Sequence, residues 1–379
     1  MSDLSHKGLE LRSTVFADGR LLLDLQEVPV GEPGPGELVV RVEAAPINPS
    51  DLGLLLGPAD PATMQAGGSG DRPTLTATIA PQRMGMMKAR LDESMAVGNE
   101  GAGTVIAAGP DQQALLGKRV GMLGGSMYTQ YRKVRARDCI VLPEGAGAAD
   151  GASMFVNPLT ALAMVETMRA EGHKALIHTA AASNLGRMLN RICLSDGVPL
   201  VNIVRSAKQA AILRDIGATH IVDSTAENFR EALTDAVAET GATLAFDAIG
   251  GGKLANSILH AMEQAANRNA AEYSRYGSST FKQVYIYGGL DMSPTVLDRG
   301  FGFSWSVSGF LLTPWMQKVG WEVMKGMRER VVRELKTTFA SHYTDTIGLA
   351  EALKPEVVAA YNRKATGTKY LIDPSRSAA

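Results

Sequence analysis

The alternation of apolar and amphipathic segments between Lys174 and Leu290 constrains the fold of this chain more than any other feature. Short apolar segments such as KALIHT, LVNIV and QVYIYGGL read as strands, and longer segments with helical spacing separate them. Such alternation is typical of a parallel sheet with helices on both faces. The sequence therefore predicts a doubly wound α/β domain over residues 156–312.

The first 155 residues have a different texture. Strand-like stretches such as GRLLLDLQEVPV and GELVVRVEAAPIN are separated by turns rich in glycine and proline. Many short strands predict a barrel-like β domain over residues 1–155, and the strand-like end of residues 313–379 is expected to complete it. The segment 57–97 has little periodicity, so we expect a long loop there, whose methionines pack or form an apolar wall over a substrate.

Composition excludes several classes of function. A formal net charge of −1, without a basic cluster among aromatic residues, predicts no nucleic-acid partner. The sequence contains no apolar run of membrane-spanning length and no N-terminal signal pattern, so we expect a cytoplasmic protein without a membrane partner. Two cysteines, Cys139 and Cys193, can build neither a disulfide framework nor a four-thiolate zinc site.

The segment HTAAASNLGRML is a candidate phosphate-binding turn. Apolar residues from Leu185 onward recur on one helix face, so the turn joins a strand to a helix whose free N–H groups favour phosphate. Ala181, Ser183 and Gly186 occupy the three glycine positions of a dinucleotide-binding turn, and Gly186 permits close packing of helix on strand. Because Ser183 and Asn184 are also favoured helix caps, an ordinary capped helix is the alternative.

The end of the next strand indicates the kind of dinucleotide. Arg205 follows Ala181 by 24 residues, near the position where an acidic residue binds the ribose 2′-hydroxyl of NAD. Arg205 and Lys208 would instead neutralise a 2′-phosphate, so the sequence predicts NADP(H). The alternative is that both are ordinary surface charges at the start of a helix.

Several motifs in order along the chain resemble the medium-chain dehydrogenase/reductase superfamily: APINPSDL, VGNEGAGTVIAAG, FVNPLTALAMVE, ALIHTAAASNLG, VNIVR and LAFDAIGGG. Within it, the chain is similar to the zinc-independent quinone oxidoreductases and 2-enoyl thioester reductases. The resemblance implies an α/β protein with a GroES-like catalytic domain and a Rossmann domain, with NADP(H) in the cleft between them. It also implies a homodimer formed by edge strands of the nucleotide domains, matched here by GFSWSVSGF.

The resemblance also assigns cofactor-binding residues by position. The pyrophosphate turn matches Ser183, Asn184, Leu185 and Gly186, and the 2′-phosphate site matches Arg205, Ser206 and Lys208. The surroundings of the nicotinamide match Thr160, Gly288 and Gly289, and the contact to the adenosine phosphate matches Arg363. For Arg363, an exposed basic turn is the alternative.

Zinc-dependent relatives carry a cysteine where this chain has Asn48 and a histidine where it has Asn99. Neutral amides are poor zinc ligands, so we expect no metal, and without a Lewis acid the reduction of a conjugated double bond or a quinone is favoured over alcohol oxidation. The candidate catalytic residues are Asn48, as a hydrogen-bond donor to a substrate carbonyl, and Tyr128, as a proton donor. Turn capping and core packing are their alternatives.

These expectations together indicate an NADPH-dependent reductase of quinones or α,β-unsaturated carbonyl compounds. One alternative is a 2-enoyl thioester reductase whose acyl carrier is met by Arg83, Lys88 and Arg90, although the tyrosine that those enzymes carry shortly after NPSD is missing here. The other alternative is a scaffold that binds NADP and catalyses nothing.

Overall fold

The computed structural model describes residues 6–70, 72–268, 270 and 272–376. The chain divides into two compact units, one formed by Met1–Val156 with Val332–Ala379 and the other by Asn157–Val331. Residues 1–5 lie outside the described residues, and part of the expectation about the N-terminus concerns them.

The second unit does not end at residue 312, the boundary that the sequence suggests, but continues to Val331. Within this unit, the Arg330 guanidinium forms two hydrogen bonds of 2.8 Å to the carboxylate of Asp196. The helix that contains Arg330 is therefore tied by an ion pair to the helix that contains Asp196, a contact that the local sequence pattern does not indicate.

The first unit is built mainly from strands. In chain order, its elements up to residue 151 are β1 (His6–Val15), β2 (Arg20–Val30), β3 (Glu37–Pro46), α1 (Pro49–Leu55), β4 (Asp60–Ser69), β5 (Arg72–Thr78), a 3₁₀ helix (Pro81–Arg90), β6 (Ser94–Ala96), β7 (Glu100–Ala108), a 3₁₀ helix (Gln113–Leu115), β8 (Arg119–Leu123), β9 (Tyr131–Arg135), a 3₁₀ helix (Ala136–Asp138), β10 (Cys139–Val141) and α2 (Ala148–Gly151).

The elements of the second unit alternate between helix and strand. They are α3 (Val156–Ala170), β11 (Leu176–His178), α4 (Asn184–Asp196), β12 (Leu200–Val204), α5 (Ala207–Asp215), β13 (His220–Asp223), α6 (Phe229–Thr240), β14 (Leu244–Asp247), β15 (Gly250–Gly252), α7 (Leu254–Arg268), β16 (Lys282–Ile286), β17 (Asp291–Thr295), β18 (Trp305–Gly309), α8 (Leu312–Val319) and α9 (Trp321–Arg333). The first residue of α3 and the last two residues of α9 belong to the first unit. The chain then returns to the first unit through β19 (Asp345–Ile347), a 3₁₀ helix (Glu351–Leu353), α10 (Pro355–Asn362) and β20 (Tyr370–Ile372).

Two sheets organise the first unit. One has the strand order β4-β5-β2-β1-β6, and the other has the order β10-β8-β7-β3-β20-β19, with β9 also paired to β3. Because β20 pairs antiparallel with β3, the end of the chain lies in the second of these sheets. The inward residues of the strands, among them Leu23, Val40 and Val105, form an apolar core together with Tyr128 from the segment between β8 and β9.

Segment 57–97 is not the long loop that its sequence predicts. β4 and β5 form an antiparallel hairpin that extends the sheet at β2, and residue 71 at its turn lies outside the described residues. Most side chains of β4 are exposed, so the strand lacks the alternation of apolar and polar residues by which strands are recognised. Of the methionines, Met84 and Met87 pack against the core, whereas Met86 is exposed.

The second unit contains a six-stranded parallel sheet in the order β13-β12-β11-β14-β16-β18. The strand order reverses at β11, which pairs with β12 on one side and β14 on the other. This is the place in an open α/β sheet where ligands bind, outside the carboxyl ends of the strands. The predicted fold class, a β domain plus a doubly wound parallel-sheet domain, is confirmed. Among the described residues, the structure contains no helix with the length and apolar character needed to cross a bilayer.

Candidate functional site

The turn between β11 and α4 is packed so tightly that a side chain at Gly186 has no room. A Cβ atom built on Gly186 would lie 2.1 Å from the carbonyl oxygen of Ala181. Ala180, the residue before Ala181, adopts a positive φ of 52°. The turn therefore brings the start of α4 directly against the end of β11, as a dinucleotide-binding turn requires.

Ser183 is the N-cap of α4, and its Oγ accepts a hydrogen bond of 3.1 Å from the N–H of Gly186. The hydroxyl thus caps the helix, and as a donor it retains its own proton for a phosphate oxygen. Asn184 and Leu185 open the helix and are both partly exposed. The first-turn N–H groups of a helix have no partners four residues earlier, so this end favours an anion.

The predicted 2′-phosphate residues lie at the end of the neighbouring strand. Arg205 directly follows β12 and is exposed, and its N–H donates to the side-chain oxygen of Gln209. Ser206 caps α5 by accepting from the N–H of Gln209, and Lys208 is exposed in the first turn of this helix. Since β12 pairs in parallel with β11, these residues share the sheet edge that carries the turn.

Neither Arg205 nor Lys208 forms an ion pair within the part of the chain that the structure describes. A cation in the first turn of a helix, where Lys208 lies, is also unfavourable to the helix dipole. The two positive charges are therefore free to neutralise an anion from outside the chain.

The other predicted cofactor residues are distributed over both units. Gly288 and Gly289 follow β16, and a Cβ on Gly288 would lie 2.6 Å from the carbonyl oxygen of Ala248, so the two strand ends approach closely. Thr160 is buried in α3 of the same unit. Arg363, in contrast, lies on the first unit at the end of α10, where it is exposed and its Nε donates to the carbonyl oxygen of Ala359.

The candidate catalytic residue Asn48 is buried at the start of α1, in the first unit. Its Nδ2 donates to Oε1 of Glu100 over 2.8 Å, which fixes the orientation of the amide. Its Oδ1 is buried and has no hydrogen-bond partner among the described residues. An unpaired buried acceptor lowers the free energy of unfolding by about 1–3 kcal/mol, so the position of this amide destabilises the fold by that amount.

Glu100 connects three parts of the first unit. Its Oε2 accepts hydrogen bonds of 2.9 Å from the N–H groups of Phe155 and Val156, while Oε1 accepts from Asn48. Burial raises the pKa of this carboxyl, and the positive charge of Lys369 and the hydrogen bonds partly oppose that shift. Glu100 therefore acts as a fixed acceptor that orients the amide of Asn48.

Tyr128 is fully buried, and its hydroxyl donates to the carbonyl oxygen of Pro46 over 3.1 Å. Burial and the charge of Asp51 raise the pKa of Tyr128 well above its ordinary value. Asp51 itself accepts from the N–H groups of Asn48 and Asn99, and burial raises its pKa to about 7. Asn48 and Tyr128 thus approach the same carboxylate inside the core of the first unit.

The sequence reasoning missed the roles of Asp51 and Glu100, and that of the buried Lys369, whose Nζ donates to Ser153 over 2.7 Å. One signal was present: Glu100 begins β7, whose other residues are glycine, apolar residues or threonine, and no residue of this strand is exposed. Arg90, expected at an acyl-carrier entry, instead donates to the carbonyl oxygens of Leu54 and Ser13. Its charge is used inside the unit, since a half-buried guanidinium needs such partners.

Within the described residues, no group of three or more histidine, cysteine or acidic side chains is suited to hold a metal ion. Asn99 has its side-chain amide hydrogen-bonded to Ser50. The first unit offers buried amide, carboxylate and hydroxyl groups, and the second unit separately carries two exposed cations, Arg205 and Lys208, at the end of β12.

Comparison with known proteins supports the resemblance. No protein-family model matches the sequence. The chain is similar to a mitochondrial enoyl-[acyl-carrier-protein] reductase of Xenopus tropicalis, with 28% identity over 211 residues that cover 53% of this chain and 52% of the relative. The match thus spans about half of that relative's length.

Two solved structures match over nearly the whole chain. A protein provisionally assigned as an NADPH:quinone reductase from Mesorhizobium loti has 27% identity and a TM-score of 0.71, covering 97% of this chain and 98% of its own. Etr1p, solved with NADP and crotonyl-CoA, has 18% identity and a TM-score of 0.68, covering 97% of this chain and 100% of its own, so it supports the fold alone.

The fold and these matches agree with the resemblance that the sequence motifs indicate: the chain is similar to proteins of the medium-chain dehydrogenase/reductase superfamily. The proteins that it matches are described as quinone reductases and enoyl reductases.

Proposed function

We propose that the chain is an NADP(H)-dependent oxidoreductase that reduces quinones or α,β-unsaturated carbonyl compounds. The observation that carries this proposal is the arrangement at the carboxyl ends of β11 and β12 in the second unit. There a tight turn at Gly186 lies beside two exposed cations, Arg205 and Lys208, that have no carboxylate partner in the described chain. The NADPH:quinone reductase assignment of the matched protein from Mesorhizobium loti supports it.

In this proposal, the predicted residues divide the parts of the cofactor between them. The first turn of α4, with Ser183, Asn184, Leu185 and Gly186, would hold the pyrophosphate, and Arg205, Ser206 and Lys208 would hold the 2′-phosphate. Thr160, Gly288 and Gly289 would surround the nicotinamide, and Arg363 would contact the adenosine phosphate. When bound, NADPH supplies the hydride.

Asn48 is the proposed contact to the electron acceptor. One proton of its Nδ2 is held by Glu100, and the amide has a second proton that can donate to a carbonyl oxygen of the acceptor. Such a donor stabilises the negative charge that develops on this oxygen as hydride arrives. Glu100, held by two backbone N–H groups, keeps the amide in this orientation.

The proton that completes the reduction comes, in this proposal, from solvent. Tyr128 is the other candidate proton donor, but its raised pKa makes it a poor acid, and its hydroxyl is already bonded to Pro46. We therefore assign Tyr128 to the packing of the core of the first unit. The reaction consumes NADPH, one proton and the acceptor, and it yields NADP⁺ and the reduced acceptor.

We further propose a cytoplasmic homodimer, in which β18 pairs with the same strand of a second copy. β18 is the terminal strand of the parallel sheet, so one of its sides has no strand neighbour among the described residues. An exposed strand edge of this kind is a ready template for pairing with another chain.

The test of this function is an assay of NADPH consumption with a panel of quinones, enones and enoyl thioesters. The absorbance of the reduced nicotinamide measures the consumption. We expect turnover with quinones or enones. Turnover confined to enoyl thioesters would favour the thioester reductase instead, which the relative in Xenopus tropicalis represents. Tight NADPH binding without turnover of any acceptor would indicate a scaffold.

The cofactor assignment predicts that Arg205→Asp weakens NADPH binding by about tenfold or more, because a charge-assisted hydrogen bond is replaced by repulsion. Preference should shift toward NADH. Arg214→Asp is the matched control, since it makes the same charge change at the other, exposed end of α5. Fluorescence titration with both nucleotides measures the effect, and an unchanged NADPH affinity in the Arg205 variant would contradict the assignment.

A further inference from the structure

His178 and Tyr287 form a hydrogen-bonded pair at the sheet edge that carries the dinucleotide turn. His178 is the last residue of β11 and is fully buried, and its Nε2 lies 2.7 Å from the hydroxyl of Tyr287. The two rings are stacked with centroids 5.7 Å apart and an interplanar angle of 17°. The second ring nitrogen, Nδ1, is buried and has no partner in the described chain.

The strand register explains how residues 109 positions apart meet. His178 pairs with Phe246 of β14, and Phe246 pairs with Tyr285 of β16. Paired positions share a face of the sheet, and so do residues two apart along a strand, so Tyr287 lies on the same face as His178. Tyr287 is also the residue before Gly288, at the carboxyl ends of the strands.

His178 and Tyr287 together carry two polar hydrogens, one N–H and one O–H, but only one hydrogen bond joins the two side chains. Burial lowers the pKa of His178 to about 3, so the ring is neutral and carries one N–H. If that proton is on Nδ1, a fully buried N–H is left without an acceptor, which is rare in proteins. If it is on Nε2, the ring donates to Tyr287, and the phenol proton is left for another acceptor.

We propose that His178 donates to the hydroxyl of Tyr287, and that Tyr287 in turn donates a hydrogen bond to an oxygen of the nicotinamide half of bound NADP(H). This inference rests on the proposed function, because it needs a dinucleotide on this edge. Tyr287 is partly exposed. It directly precedes Gly288, whose backbone lies close to that of Ala248.

The pair is a donor of hydrogen bonds and not a source of protons. Burial and the nearby charge of Asp247 raise the pKa of Tyr287 far above its ordinary value, so the phenol keeps its proton. His178 is too weakly basic to take that proton up near neutral pH. Tyr287 is therefore expected to affect how tightly the nicotinamide half is held, with His178 as its positioning residue.

The test uses Tyr287→Phe in the full chain, titrated with NADPH and, separately, with adenosine 2′,5′-bisphosphate, which lacks the nicotinamide half. We expect NADPH to bind about three- to tenfold more weakly, the usual effect of one lost neutral hydrogen bond. Binding of the bisphosphate should not change. Calorimetric titration measures both affinities without any turnover.

Tyr285→Phe is the matched control. Tyr285 lies two residues earlier on the same face, but its hydroxyl donates to Glu171 at the surface, so its loss should change neither affinity. His178→Phe keeps an aromatic ring without the N–H donor and should reproduce the selective loss for NADPH. His178→Gln, which restores a side-chain N–H donor, should recover part of it.

Each remaining outcome decides between the two proposals. If Tyr287→Phe binds NADPH as the wild type does, or loses both ligands equally, the inference is wrong while the proposed function stands. If the wild type binds neither nucleotide, the proposed function itself fails. A folded His178→Phe variant, checked by circular dichroism, with unchanged NADPH affinity would remove the positioning role of His178.

Discussion

Gly186 is the residue on which the geometry of the phosphate turn depends most directly. Its backbone is helical, so its conformation does not demand glycine, but the carbonyl oxygen of Ala181 occupies the place of a side chain. The constraint is steric and comes from a strand and a helix in contact. The same contact sets where the N–H groups of α4 point.

We predict that Gly186→Ala destabilises the protein by about 1–3 kcal/mol, the usual cost of forcing a methyl group into a packed site, and weakens NADPH binding at the same time. Gly326→Ala is the control, because Gly326 is exposed in α9 and a Cβ there meets nothing within 4 Å. That change should stabilise the helix by about 0.5–1 kcal/mol. Chemical denaturation of both variants measures the difference, and equal effects would refute the steric argument.

At the scale of elements, a buried ion pair ties α7 to β16. Nζ of Lys282 lies 2.7 Å from Oε2 of Glu263, and the lysine side chain is fully buried. The same carboxylate accepts from the N–H and the hydroxyl of Ser278, so it also anchors the segment before β16. Although burial acts to raise the pKa of Glu263, the lysine and these hydrogen bonds hold it below its ordinary value.

We predict that Lys282→Met lowers the free energy of unfolding by about 3–5 kcal/mol, since it leaves a carboxylate buried without its counter-ion. Arg268→Met is the matched control, and it removes a cation at the end of α7, the helix that carries Glu263. Arg268 pairs with Asp235 at an exposed site, where an ion pair contributes about 0–1 kcal/mol. Limited proteolysis should also cut residues 272–281 faster in the Lys282 variant, and an unchanged rate would show that this segment is held by other contacts.

At the scale of the whole molecule, assembly depends on the free side of β18. The N–H of Lys282 bonds to the carbonyl oxygen of Ser304, and the N–H of Phe310 bonds to that of Ile286. In a parallel ladder these bonds place every second residue of β18 toward β16, so the backbone groups of Val307 face the other side. The proposed dimer would use these outward groups.

Val307→Pro is therefore expected to convert dimers to monomers, because proline removes the outward N–H without breaking the ladder to β16. Val307→Ala keeps that N–H and should remain dimeric. Light scattering coupled to size-exclusion chromatography measures the mass of each variant. A wild type that is monomeric at micromolar concentration, or a proline variant that stays dimeric, would contradict this mode of assembly.

The amino-acid sequence alone is enough to predict the elements whose signal is local. The alternation of strands and helices from β11 to β16, the turn at Gly186 and the cations after β12 all follow from periodicity and from residue types within a few positions. Such patterns predict an element because each strand or helix must bury one face. The hairpin of β4 and β5 escaped this reasoning, since its exposed side chains leave no alternation to read.

The contacts between residues that are distant in the sequence depend on the folded structure. Asn48 and Glu100 are 52 positions apart, and His178 and Tyr287 are 109 apart. Nothing in the local pattern specifies these partners, because they arise from strand order and register, which the packing of the whole sheet fixes. A buried polar group needs a hydrogen-bond partner, and the fold determines which group lies near enough to be that partner. The hydrogen bonds of both pairs therefore depend on the folded structure.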